Sequence, residues 1–129
     1  MLFRSGQPIA RFQAVQTHLA RLASEAQRAA VVVDAVRAAL GDGDDLRPER
    51  ALIAAARTLA GDAAILGART AHQVHGAIGV TMEYPLQRFT RRLWEWEADD
   101  GTAARWARQL GADATDGELR TWQLITGTY

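Results

Sequence analysis

Three short stretches hold the residues whose types and spacing could do chemistry. His72-x-x-His75 sets two imidazoles on one face of a helix, a spacing that can bind a metal ion. No third or fourth ligand is apparent. The carboxylate-bridged di-iron alternative needs Glu-x-x-His pairs on two helices, and the sequence has no Glu-x-x-His at all. The pair is therefore expected to be ordinary packing or cofactor-side histidines, with no metal. The second stretch is EWEADDGT, residues 95–102, where Gly101 frees the backbone and Thr102 can cap a following helix. It reads either as a solvated loop with a capping acid or as a functional acidic turn. The third, QVHGAIGVTMEYPLQ at residues 73–87, is longer and more apolar than a simple reversal needs, and a proline closes it.

The elements that must position these stretches are helices. Ile9, Phe12, Val15, Leu19, Leu22, Ala26, Ala29, Val33, Val36 and Leu40 follow steps of three and four, one face of a long helix. GDGDD at 41–45 ends it. Arg47-Pro48-Glu49 predicts a helix start, because proline in the first turn loses no hydrogen bond and an acid there suits the dipole. A second helix then runs to about Val74 with the stripe Leu52, Ala56, Leu59, Ala63, Leu66 and Val74. Gly61 and Gly67 beside it would let another helix approach closely.

A third helix is predicted from Pro85, carrying Leu86, Phe89, Leu93 and Trp96, and a fourth from Thr102 through Trp106 to Leu110. After Gly111 a break is expected, with Thr115 and Glu118 as a capping box for a short last helix holding Leu119, Trp122 and Ile125. The expected fold is all-α: an antiparallel four-helix bundle with helices near 8–40, 47–76, 85–97 and 102–110, a short extra C-terminal helix and no sheet.

Composition narrows the function classes. The 129 residues are 48% hydrophobic, enough for one domain with a single core. Fifteen basic residues balance fifteen acidic ones, so no net field draws the chain to nucleic acid or to an anionic membrane. Cysteine is absent, which removes any disulfide framework and makes a reducing cytoplasm the expected compartment. No segment reads as a membrane span.

Two of these stretches carry a family resemblance. QVHGAIGVTMEYPLQRF, followed later by acid-Gly-Thr, resembles the signature of the acyl-CoA dehydrogenases, and GQPIARFQAVQ resembles the Gly-x-Pro-Ile-x-x-Phe-Gln segment that opens their C-terminal helical domain. RRLWEWEADDGT is similar to a branch of smaller bacterial dehydrogenases, some of them two-subunit enzymes. The resemblance covers nearly the whole chain. It implies a single C-terminal domain, residues 1–129, of an FAD-dependent enzyme that converts an acyl-CoA to the 2-enoyl-CoA and passes electrons to another flavoprotein. Such a domain contributes FAD contacts and subunit interface in a homo- or hetero-oligomer.

Residue by residue, the resemblance implies that Gln13 reaches the FAD diphosphate region. Gln73 and the turn at Gly76, Ala77 and Gly79 would meet the adenosine-diphosphate part of a partner subunit's FAD, and Thr102 would make a further FAD contact. His72 and His75, where not ordinary packing, would be flavin-side histidines. Ala77 stands where the family usually has a second glycine. The catalytic base would be Asp100, one methylene shorter than the family's usual glutamate, with Asp99 as its rival. The amino-terminal helical domain and middle β-domain that hold most of the flavin ring and the thioester are not among these residues. Position 2 is Leu where the family has a flavin-contacting arginine, so MLFRS reads as foreign to the pattern. The alternative function is a non-catalytic helical subunit or interaction module that completes a partner's FAD site or binds no cofactor.

Overall fold

The computed structural model describes residues 3–4, 6–40 and 50–115. Along them the chain forms β1 (Phe3–Arg4), β2 (Gln7–Pro8), a 3-10 turn (Ile9–Arg11) and α1 (Gln13–Ala39). Then come α2 (Arg50–His75), a second 3-10 turn (Gly76–Val80), α3 (Leu86–Ala98) and α4 (Ala103–Thr115). The protein is all-α. β1 and β2 pair antiparallel with Phe3 opposite Pro8 and Arg4 opposite Gln7, and this four-residue ladder is the only strand pairing among the described residues.

α2 is the axis of the molecule, in contact with each of the other three helices. Leu22 of α1 lies beside Gly67, and Val36 shares a cleft with Ile53, so α1 runs antiparallel to α2. On the other side Leu93 of α3 lies beside Gly67 and Glu97 beside Gly61, while Ala103 of α4 meets Gly61 and Gln109 lies near Ile53. α3 and α4 therefore follow one another along α2, both antiparallel to it. Between α1 and α3 a groove of about 550 Å³ stays open, floored by Ala60, Gly61, Ala64 and Gly67 and walled by Leu22 and Trp96.

Several boundaries and stripes differ from expectation. α1 begins at Gln13 because Pro8 and Phe12 are extended, with ψ of 132° and 127°, which sets Ile9–Arg11 apart as its own turn. α4 does not break at Gly111. It continues to Thr115, whose hydroxyl donates back to the carbonyls of Gly111 and Ala112 at 3.1 and 3.0 Å, while Glu118, the other half of the expected capping box, lies outside the described residues. Leu119, Trp122 and Ile125, like Arg47-Pro48-Glu49, lie outside the described residues. On α2 the fully buried positions are Ala51, Ala54, Ala56, Gly61, Ala68 and Thr70. Of the expected stripe only Ala56 is fully buried, because neighbours reach α2 from more than one side. On α3, Leu86 and Leu93 are half-buried, but Phe89 and Trp96 point out, 68% and 56% exposed.

The core is correspondingly thin. Among the described residues the fully buried hydrophobic ones are all alanines, and the largest fully buried side chain is Thr90. A buried methyl contributes about 0.8 kcal/mol, against about 1.5–3 kcal/mol for a fully buried Leu or Phe. By length and composition Arg50–Val80 also reaches what a membrane crossing needs, with a mean hydropathy of 1.4 over its most apolar window, contrary to the sequence reading. Three helices pack against it, and 33% of that window is buried.

Candidate functional site

The acidic turn between α3 and α4 is held by its main chain. Arg57 Nη2 donates to the carbonyl of Asp99 and, at 3.3 Å, to that of Gly101. Trp106 Nε1 donates to the carbonyl of Asp100 at 3.2 Å. Asp100 adopts φ 54°, the left-handed region, and Gly101 φ 100°. A left-handed residue other than glycine costs about 1–2 kcal/mol, least for Asp and Asn, and hydrogen bonds from a charged donor offset it. The same geometry favours the shorter acid at residue 100. Asp99 and Asp100 are both exposed, and neither carboxylate has a hydrogen bond or ion pair among the described residues.

The start of α4 carries two caps. Thr102 accepts from Arg105 N at 3.4 Å, as its sequence position predicts. Glu97 accepts from Ala103 N at 3.0 Å, so one acid of the EWEADD run is a capping acid. Sequence reasoning missed Arg57, forty-two residues from Asp99; the only signal was a cation directly following Ala54-Ala55-Ala56.

The second candidate group lies at the opposite end of α2. Gln73 and Val74 line a cleft of about 240 Å³ with Ile9, Phe12, Val15 and His18, so the structure brings Gln73 to the start of α1, where Gln13 is exposed. Gly76 has φ 61°, is exposed, and has nothing within 4 Å of where a side chain would begin. Its backbone is open to a ligand. Gly79 is different: it is buried, and a Cβ there would stand 2.9 Å from His75 Cβ and 3.0 Å from Leu86 Cδ2. Close packing inside the chain explains that glycine. Ala77 is exposed on the turn.

The histidines pack as side chains between helices. His72 Nε2 bonds the buried Thr90 hydroxyl at 3.0 Å and its ring stacks on Trp94 at 5.9 Å, while its Nδ1 is buried without a partner. His75 Nδ1 lies 2.7 Å from the carbonyl of Ala71, and its ring tilts against Tyr84 at 5.1 Å. Among the described residues no three His, Cys, Asp or Glu side chains gather as a metal site would require.

From Arg57 to Gln73 is sixteen residues of α2, about 24 Å at 1.5 Å per residue. The acidic turn and the glycine turn are thus two separate sites on one chain. Residues 4–114 match the family model described as "Acyl-CoA dehydrogenase, C-terminal domain". The chain belongs to the acyl-CoA dehydrogenase family.

It is also similar to the 3-sulfinopropanoyl-CoA desulfinase of Paraburkholderia xenovorans, 35% identical over 98 residues that cover 76% of this chain and 24% of the desulfinase. The chain spans about a quarter of the length of that curated relative. No solved structure matches it. As an acyl-CoA dehydrogenase C-terminal domain, the chain holds its two motif-bearing turns at the two ends of α3, each braced against α2.

Proposed function

We propose that the chain is the FAD-contacting and oligomerising C-terminal domain of a cytoplasmic flavoenzyme acting on acyl-CoA thioesters, with Asp100 as the α-proton base. One observation carries this reading. Apart from the buried Gly79, the motif residues stand exposed in two groups, one at each end of α3, and the buried core of the described residues is alanine, glycine and threonine. Neither group is enclosed by the described residues. Both are placed for contacts made with other domains or another subunit.

The glycine turn fits a phosphate-bearing cofactor at Gly76, whose open backbone offers close approach, and at the exposed amide of Gln73. Gly79 supports the turn from inside, Gln13 flanks it across the start of α1, and Ala77 adds one methyl group at the surface. Thr102, exposed at the start of α4, is the contact from the acidic turn. A bound flavin supplies the acceptor for the β-hydrogen. Asp100 takes the α-proton, and its carboxylate, free of partners among the described residues, is available for that transfer. Asp99, also exposed, is the rival. A separate flavoprotein would accept the electrons.

The test is co-expression with the missing domains or partner subunit, followed by the visible spectrum. A bound flavin bleached by acyl-CoA supports the proposal, and an assembled complex that binds no flavin sinks it in favour of a helical interaction module. The similarity to a 3-sulfinopropanoyl-CoA desulfinase favours a second reading, in which the enzyme removes a β-sulfinate group from a short acyl-CoA. Sulfite release from 3-sulfinopropanoyl-CoA, with no flavin bleaching by saturated acyl-CoAs, would select it.

A further inference from the structure

We infer that Arg57 is the positioning residue for the Asp100 carboxylate, an inference that rests on the reading of Asp100 as the α-proton base. Three successive carbonyls are held by two side chains: Arg57 Nη2 takes those of Asp99 and Gly101, and Trp106 Nε1 takes that of Asp100. One guanidinium nitrogen carries two hydrogens, so Nη2 can serve both flanking carbonyls at once. Drawing carbonyls 99 and 101 to one nitrogen holds residue 100 in its left-handed turn at φ 54° and leaves its side chain exposed.

Arg57 Cζ also lies 6.0 Å from the Trp106 ring centroid, so the two anchors brace each other. Arg57 makes no ion pair with a carboxylate among the described residues, and its bonds go to the main chain of this turn. Asp100 has no side-chain partner there to aim it, so its direction is set by the backbone that Arg57 fixes. In the reaction the α C–H bond breaks and its proton passes to a carboxylate oxygen of Asp100. The β-hydrogen would leave with its electron pair to the two-electron acceptor that a bound flavin would supply. Arg57 exchanges nothing.

In the complete flavoenzyme, Arg57→Gln is compared with Asp100→Asn and with the double variant. The probes are propanoyl-, butanoyl- and octanoyl-CoA, with and without deuterium at the α-carbon. Flavin reduction in Arg57→Gln should fall on the order of a hundredfold, the effect of a displacement of about 1 Å. Flavin content and KM should hold, the α-deuterium isotope effect should rise, and adding Arg57→Gln to Asp100→Asn should cost nothing further.

A slower Arg57→Gln with an unchanged isotope effect overturns the positioning role, because it reports only fewer active sites. Wild-type rates in Arg57→Gln beside an inactive Asp100→Asn overturn it while leaving the reading of Asp100 intact. A fully active Asp100→Asn removes that reading, and this inference with it. If Arg57→Gln loses its flavin, Trp106→Phe carries the same readouts, since it removes the indole N–H at the Asp100 carbonyl. About a tenfold loss with a raised isotope effect is expected from that one hydrogen bond. Unchanged kinetics in Trp106→Phe would overturn the inference.

Discussion

A Cβ on Gly61 would stand 2.8 Å from the Cβ of Ala103, closer than two carbon atoms pack, and this contact seats the first turn of α4 against the middle of α2. The acidic turn hangs from the same junction, because Glu97 caps Ala103 and Arg57 reaches Asp99 and Gly101 one turn of α2 away. Backbone spacing at one glycine thereby fixes where the carboxylate loop can lie.

Gly61→Ala is expected to destabilise the domain by about 1–3 kcal/mol through overpacking, outweighing the ~1 kcal/mol that alanine gains in a helix. Gly67→Ala is the control, since its Cβ would make ordinary contacts at 3.6 and 3.7 Å. Urea midpoints should fall for the first variant and hold or rise for the second. Equal midpoints would mean α4 does not sit against Gly61.

The buried Thr90 hydroxyl bonds the half-buried His72 at 3.0 Å and reaches the carbonyls of Leu86 and Gln87 only at 3.4 and 3.5 Å. Thr90→Val should cost about 1–3 kcal/mol, because it strands His72 Nε2 while Nδ1 already lacks a partner. Thr90→Ser should recover most of the loss. Thermal unfolding of the three proteins checks this, and a valine variant as stable as wild type would remove the bond's structural role.

The isolated chain should self-associate. Phe89, Trp94 and Trp96 are 68%, 43% and 56% exposed, and Met82 and Val80 on the glycine turn are 84% and 70% exposed, a display that monomers avoid. Sedimentation at tens of micromolar should show species larger than a monomer, and Phe89→Glu with Trp96→Glu should shift them toward it. A clean wild-type monomer with its tryptophans shielded from acrylamide would contradict the exposure pattern.

Asp100→Asn in the complete enzyme should keep flavin bound and lower its reduction by acyl-CoA by about 10²–10⁴-fold, the range for loss of a general base. Asparagine tolerates the left-handed backbone at φ 54°, so the turn survives the change. Asp99→Asn should change the rate by less than about threefold, since Asp99 sits at the end of α3 with ordinary dihedrals. Asp100→Glu should be slower than wild type, because the turn is built around the shorter acid. Full activity in Asp100→Asn would move the base to Asp99 or to another subunit.

The sequence by itself determined the helical class, the order of the helices and the family. Those properties are local: the three-four spacing of apolar residues from Ile9 to Leu40, the proline that opens α3 and the threonine that caps α4 act within a turn or two of themselves. The residues of the two candidate turns were legible for the same reason, as contiguous strings.

Tertiary structure decided what those strings are attached to. Arg57 meets Asp99 across forty-two residues, and no periodicity announces a guanidinium aimed at main-chain carbonyls. The two glycine roles, Gly76 open and Gly79 filled by His75 and Leu86, look alike in a string and differ only in what lies beside them. The stripes on α2 and α3 misplaced much of the core because a stripe records which face is apolar, while burial depends on how many neighbours arrive and from which sides.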